Sequence, residues 1–184
     1  MMAKWTTALA AALICISTAM PPAAGDEPLY EGKPLEHWLE QAEQPLSPGD
    51  RAETIRALTE ALDSDVPEVR VKAADALGHF GAAAAPAAEA LAGQLGHPSA
   101  WVRVAAMETL GEMGSPAVPA LIESLKSGAW IVRLRAALVL NTMGSEGEGA
   151  VAQLEVAAKD EHPVVAQRAA QALASIRAAG EQTP

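Results

Sequence analysis

Several things are scarce in this chain of 184 residues. It has one cysteine, Cys15, which sits inside an N-terminal apolar run. Past that run there is no thiol, so disulfides, thiolate metal ligands and cysteine nucleophiles are excluded. Aromatic residues make up 3% of the chain, with one Phe and one Tyr. Strands are filled by β-branched and aromatic residues, so this composition argues against a sandwich or barrel and for closely packed helices. Basic residues are also few, 13 against 23 acidic, for a net charge of −10. Such a surface repels phosphate backbones and anionic membranes, which weighs against nucleic acid as a partner. There is no glycine-rich phosphate loop, no haem-attachment CxxCH and no HxxxH spacing for a metal. Ser17 and Ser47 have no histidine or acid at a catalytic spacing, and the carboxylates are scattered. Nothing here calls for a cofactor, and no catalytic residue is assigned.

The longest early apolar run, Ala8 to Ile16, follows one lysine and leads into small residues. That three-part layout predicts a secretory signal peptide over residues 1–25, cut after Ala19 or near Ala24 or Gly25. The run is shorter than the roughly 20 residues of a transmembrane helix, so no stable membrane insertion is expected after cleavage. Removing it takes away Lys4 alone among the charged residues and leaves a net charge of −11. The expected destination is the periplasm or the exterior.

What the chain has in abundance is itself. Val69, Val102, Val132 and Val165 begin four similar stretches and are followed by Ala73, Ala106, Ala136 and Ala169. Leu77, Leu110, Leu140 and Leu173 come next, and Phe80, Met113, Met143 and Ile176 close each stretch. Before each lies a second apolar stripe at helical spacing. It opens with Ile55, Ala88, Val118 and Val151 and continues with Leu58, Leu91, Leu121 and Leu154. Leu62, Leu95, Leu125 and Ala158 complete it. The pattern predicts four helix pairs, A then B, stacked as an all-α solenoid in which each pair buries its stripe against its neighbours. The B copies are spaced 33, 30 and 33 residues apart. The missing three residues fall between Gly114 and Leu125, which predicts a tighter GSP turn and a third A helix about one turn shorter. Gly81, Gly114 and Gly144 stand where a left-handed residue would end a B helix, and Pro67, Pro98 and Pro163 just before or in the first turn of one. Ahead of the repeats, residues 26–50 read as an extended lead-in, a capping helix with Pro34 in its first turn, and a loop PLSPGD. The repeat domain is placed at 51–180, with repeats at about 51–81, 82–114, 115–144 and 145–178, and a tail at 181–184.

The stretches VRVKAADALGHFG and VRVAAMETLGEMG, followed by PAVPALIESL, resemble the short bacterial HEAT-like repeats also found in phycobilisome lyases. The lead-in YEGKPLEHWLE looks like that of exported bacterial HEAT-repeat proteins. The resemblance covers about residues 30 to 178; the last copy departs from it, with Ala166 where the others have arginine. It implies an armadillo-like helical scaffold that binds other proteins, with an enzyme or enzyme accessory of the phycobilin-lyase-like group as the alternative. It also implies that Arg70, Arg103 and Arg133 form an inter-repeat ladder. The other reading of these arginines is anion binding.

Positive charge in the first turn of a helix opposes its dipole. Asp63, Asp65 and Glu68 are near Arg70 in sequence, whereas Arg103 and Arg133 need a carbonyl or a neighbouring repeat. The four histidines, His37, His79, His97 and His162, read as loop or surface residues, with pH sensing or a metal as the rival. Trp101 and Trp130 either fill the gap between repeats or form a ledge for a peptide. The outward stripe of the B helices is the candidate recognition face. It runs Val71, Asp75, His79 in the first copy; Val104, Glu108, Glu112 in the second; Leu134, Leu138, Thr142 in the third; Gln167, Gln171, Ser175 in the fourth. An acidic half leading to an exposed leucine pair fits a protein or peptide with a basic and apolar strip.

Overall fold

The computed structural model describes residues 28–180. The expected signal peptide, Cys15 and the tail at 181–184 lie outside the described residues. A two-residue hairpin comes first, β1 (Leu29–Tyr30) pairing antiparallel with β2 (Lys33–Pro34). Residues 26–32 were expected to be merely extended. The turn instead takes positive φ at both Glu31 and Gly32, +47° and +76°, the geometry that lets two residues reverse a strand. Glu31 is held there by its backbone N–H to Glu60 and by an ion pair with Arg56, both on the first A helix. Helix α1 (Leu35–Ala42) then covers the open end of the stack. Trp38 is buried in it and donates its indole N–H to the Tyr30 carbonyl at 2.7 Å. Pro34 precedes this helix rather than entering it.

Helix α2 (Pro48–Ala61) is the first A helix and starts inside the stretch expected to be loop. Ser47 accepts the Asp50 N–H at 3.2 Å and Pro48 takes the first helical position, where its missing donor costs nothing. The first B helix is α3 (Pro67–Gly78). The pairs α4 (Ala88–Gly93) with α5 (Ala100–Met113), α6 (Val118–Leu125) with α7 (Trp130–Met143), and α8 (Val151–Ala157) with α9 (Pro163–Gly180) follow. Each A helix packs on its own B helix, and the B helices pack in sequence from α3 to α9. No helix among the described residues is long and apolar enough to cross a membrane.

The core is the frame that repeats. Leu58, Leu91, Leu121 and Leu154 are completely buried, as are Ala73, Ala106, Ala136 and Ala169. Leu77, Leu110 and Leu140 are equally inaccessible. Alanine at the B-helix crossing lets the backbones approach closely.

The missing three residues do not shorten the third A helix. Helix α6 has 8 residues, against 6 in α4 and 7 in α8. The loss comes from the 3-10 segment before it, which spans 7 residues at Gly81–Ala87 and at Gly144–Ala150 but 3 at Ser115–Ala117. Leu121 and Leu125 must still fill the core, so the irregular lead-in gives way and the helix does not. At this joint α5 and α7 share less contact than α3 with α5 or α7 with α9. The flanking joints also carry cross-helix bonds, Thr109 Oγ1 to the Ala74 carbonyl and Ser175 Oγ to that of Asn141.

Gly114 and Gly144 follow their helices at φ +65°, ψ −143° and φ +56°, ψ −130°, a region that essentially glycine alone occupies. They therefore do more than the left-handed cap expected of them. They turn the chain sharply into the next A segment, and the Glu146 carboxylate lies where a Gly114 side chain would be.

Candidate functional site

The outward stripe of the B helices is open to solvent along the stack. Asp75, His79, Val104, Glu108, Glu112, Thr142, Gln167 and Gln171 are exposed, and Val71 and Ser175 are half-buried. Leu134 and Leu138 are half-buried too, so the leucine pair expected to stand free is partly covered. On the preceding B helix, Val104 and Trp101 are exposed, Trp101 to 77%.

The acidic half is drawn together by the close packing of α3 on α5. Partial burial pushes the Asp75 carboxyl above the usual carboxylate range, and Glu108 and Glu112 add to this while His79 opposes it. Glu112 lies across Gly78, in space that any side chain at that glycine would take. Three carboxylates facing one another favour a cation, but no group of three or more His, Cys, Asp or Glu among the described residues is placed to hold a metal ion.

The two tryptophans separate into the two readings open for them. Trp130 stacks on His162 in the loop before α9, ring centroids 3.9 Å apart and planes 4° from parallel, and so fills the space between repeats. Trp101 projects into solvent and remains the candidate ledge. His97 also turns inward to its own loop, its Nδ1 accepting the Ser99 N–H at 3.1 Å.

The arginine ladder has a common rung. Arg70, Arg103 and Arg133 each donate to the carbonyl six residues back, of Ser64, His97 and Ser127, at 2.6, 2.8 and 2.9 Å. Those carbonyls offset the unfavourable placement of positive charge in the first turn. Arg70 reaches the Asp63 backbone and Gln94 of the next repeat, and no ion pair joins it to the nearby acids that the sequence suggested. Arg133 makes a two-pronged bond to Asp160 of the next repeat, at 2.6 and 2.8 Å. Hydrogen bonding from Arg133 holds the Asp160 carboxyl below the usual range against the opposing effect of burial. Arg103 reaches no side chain of the next repeat among the described residues. Near it instead comes Arg135, whose position in the repeat is basic in three copies, as Lys72, Arg135 and Arg168, and Ala105 in the second. Arg135 donates to the Leu95 carbonyl at 2.6 Å.

Among solved structures, the chain resembles two crystal structures of engineered proteins from a structural genomics consortium. The first is 20% identical, with 79% of this chain and 72% of the other covered and a TM-score of 0.44. The second is 21% identical, with 80% and 83% covered and a TM-score of 0.41. No curated protein matches. A model of HEAT repeats matches residues 55–141 and 118–183, which takes in every helix pair except the first turns of α2. With that match over most of its length, and with four stacked helix pairs behind it, the chain belongs to the HEAT-repeat family.

Proposed function

We propose that this protein is an exported, non-enzymatic scaffold that binds another protein, through a peptide segment, along the outward stripe of its B helices. One observation carries the reading. The buried frame repeats from copy to copy, while the exposed stripe changes from Asp75 and Glu108 to Leu138 and Gln171 at one and the same position. A stripe needed only for solubility has no reason to be acidic at one end and apolar in the middle. Its carboxylates stand on an open face with no nucleophile beside them, which supports recognition over catalysis. Export rests on the lysine, apolar run and small residues before Asp26.

Selection of a random peptide library against the protein, followed by amide exchange of the protein with and without an enriched peptide, tests the binding reading. Protection centred on α3, α5 and α7 supports it; protection confined to the A helices refutes it. N-terminal sequencing of the protein from the cell envelope tests export. A start between Met20 and Asp26 is expected, and an intact Met1 in that fraction would contradict cleavage.

A further inference from the structure

We infer that Arg103 and Arg135 form a receiving site for an acidic side chain of the bound peptide, at the junction of the second and third repeats, with Trp101, Val104 and Leu134 next to them in sequence. The inference rests on the reading of the B-helix stripe as a peptide-binding face, and deepens it.

The geometry begins with a gap in the ladder. Arg70 and Arg133 each find a polar side chain in the following repeat, Gln94 and Asp160. In the shared frame the residues at those places for Arg103 are Ser124 and Ser127. Both hydroxyls are turned to their own backbone, Ser124 donating to the Ala120 carbonyl at 3.0 Å and Ser127 accepting the Ala129 N–H at 3.2 Å. What arrives instead is a second cation. Arg103 donates to the His97 and Pro98 carbonyls at 2.8 and 2.7 Å, and Arg135 to the Leu95 carbonyl at 2.6 Å. Both guanidiniums converge on one four-residue segment, each through Nη1, and their other nitrogens have no partner among the described residues.

Arg135 is held below its ordinary value by burial and then by the charge of Arg103, so the two repel. No carboxylate among the described residues pairs with either. In a chain with 23 acidic and 13 basic residues, two adjacent unpaired arginines are the reverse of what composition favours. A carboxylate between them would turn the repulsion into charge-assisted hydrogen bonds from two planar forks. A free small anion would use none of the apolar surface on the same helix start as Arg103, where Trp101 is 77% and Val104 46% exposed. A peptide side chain would use both. At the acidic patch of Asp75, Glu108 and Glu112 an acid would be repelled and a base attracted, the reverse of what the arginine pair would take.

The test uses a library of random peptides carrying amidated C-termini, selected on the wild-type chain and on Arg103→Gln/Arg135→Gln. The wild type should enrich Asp or Glu at a fixed distance from an apolar residue. Replacing that acid by its amide should weaken binding roughly tenfold or more, the scale of a lost charged hydrogen bond. The double variant should bind acid and amide peptides alike. Arg135→Lys, which keeps the charge and loses the fork, should retain part of the preference and controls for misfolding, as does the circular dichroism of each variant. Enrichment without an acidic position, an acid preference that survives in the double variant, or enriched peptides fully displaced by acetate alone would overturn the arginine site while leaving the face intact. Failure to enrich any peptide would overturn both readings.

Discussion

Trp130 lies flat on His162, 3.9 Å between ring centres and 4° from parallel, with the imidazole supplied by the next repeat. The Asp160 carboxylate that accepts the backbone N–H of His162 is the same one that Arg133 grips. One short loop, Asp160–His162, thus joins the third and fourth repeats through a ring stack and a two-pronged ion pair. Trp130→Ala should destabilise the fold, with about 0.5–1.5 kcal/mol from the stack beyond the lost burial. Trp101→Ala, at the other exposed helix start, should change stability by no more than about 0.5 kcal/mol. Urea unfolding of both variants makes the comparison; equal losses would mean that Trp101 is structural too.

The same ion pair sets a pH dependence. Asp160 titrates below its unfolded value, so its contribution is present above the ordinary carboxylate pKa and is lost as pH falls through the lowered folded one. Asp160→Asn should therefore be less stable than wild type at neutral pH, and the difference should close in acid. Asp75 has the opposite sign. Its folded pKa is raised, so its charge opposes folding at neutral pH and protonation relieves this as pH falls from the raised value towards the unfolded one. Asp75→Asn should be at least as stable as wild type at neutral pH, and its advantage should shrink on acidification. Unfolding followed across pH for both variants distinguishes the signs.

Gly114 tests the turn between the second B helix and the shortened lead-in. Gly114→Ala places a methyl both at φ +65° and against the Glu146 carboxylate, and should cost about 1–3 kcal/mol. Gly93, at the end of α4 with φ −58° and open space around it, offers the contrast. Gly93→Ala should be neutral or stabilising by up to about 1 kcal/mol.

The frame was legible because burial imposes a period. Val102, Ala106, Leu110 and Met113 recur at helical spacing and are all buried, so copy-to-copy comparison finds them without a structure. Features that depend on one copy differing from the others were not. The three missing residues could have come from α6 or from the segment before it, and only packing of Leu121 and Leu125 decides that. The Glu31–Gly32 turn carries a glutamate where asparagine is usual, so its hairpin gave little signal. Arg135 shares its position with Lys72, Ala105 and Arg168, and its meeting with Arg103 of the preceding repeat is a tertiary contact that the letters do not show. The candidate stripe was legible as a surface; which of its parts face one another was not.

The central claim is that the repeated residues hold the scaffold and the unrepeated ones recognise a partner. Its most direct test measures peptide binding and unfolding on the same two variants, Leu110→Ala and Leu138→Glu. Leu110 is completely buried, so Leu110→Ala should lower stability by about 2–5 kcal/mol while the folded fraction still binds an enriched peptide. Leu138→Glu should abolish binding with helical content and cooperative unfolding intact. Binding that survives Leu138→Glu at wild-type affinity would contradict the account.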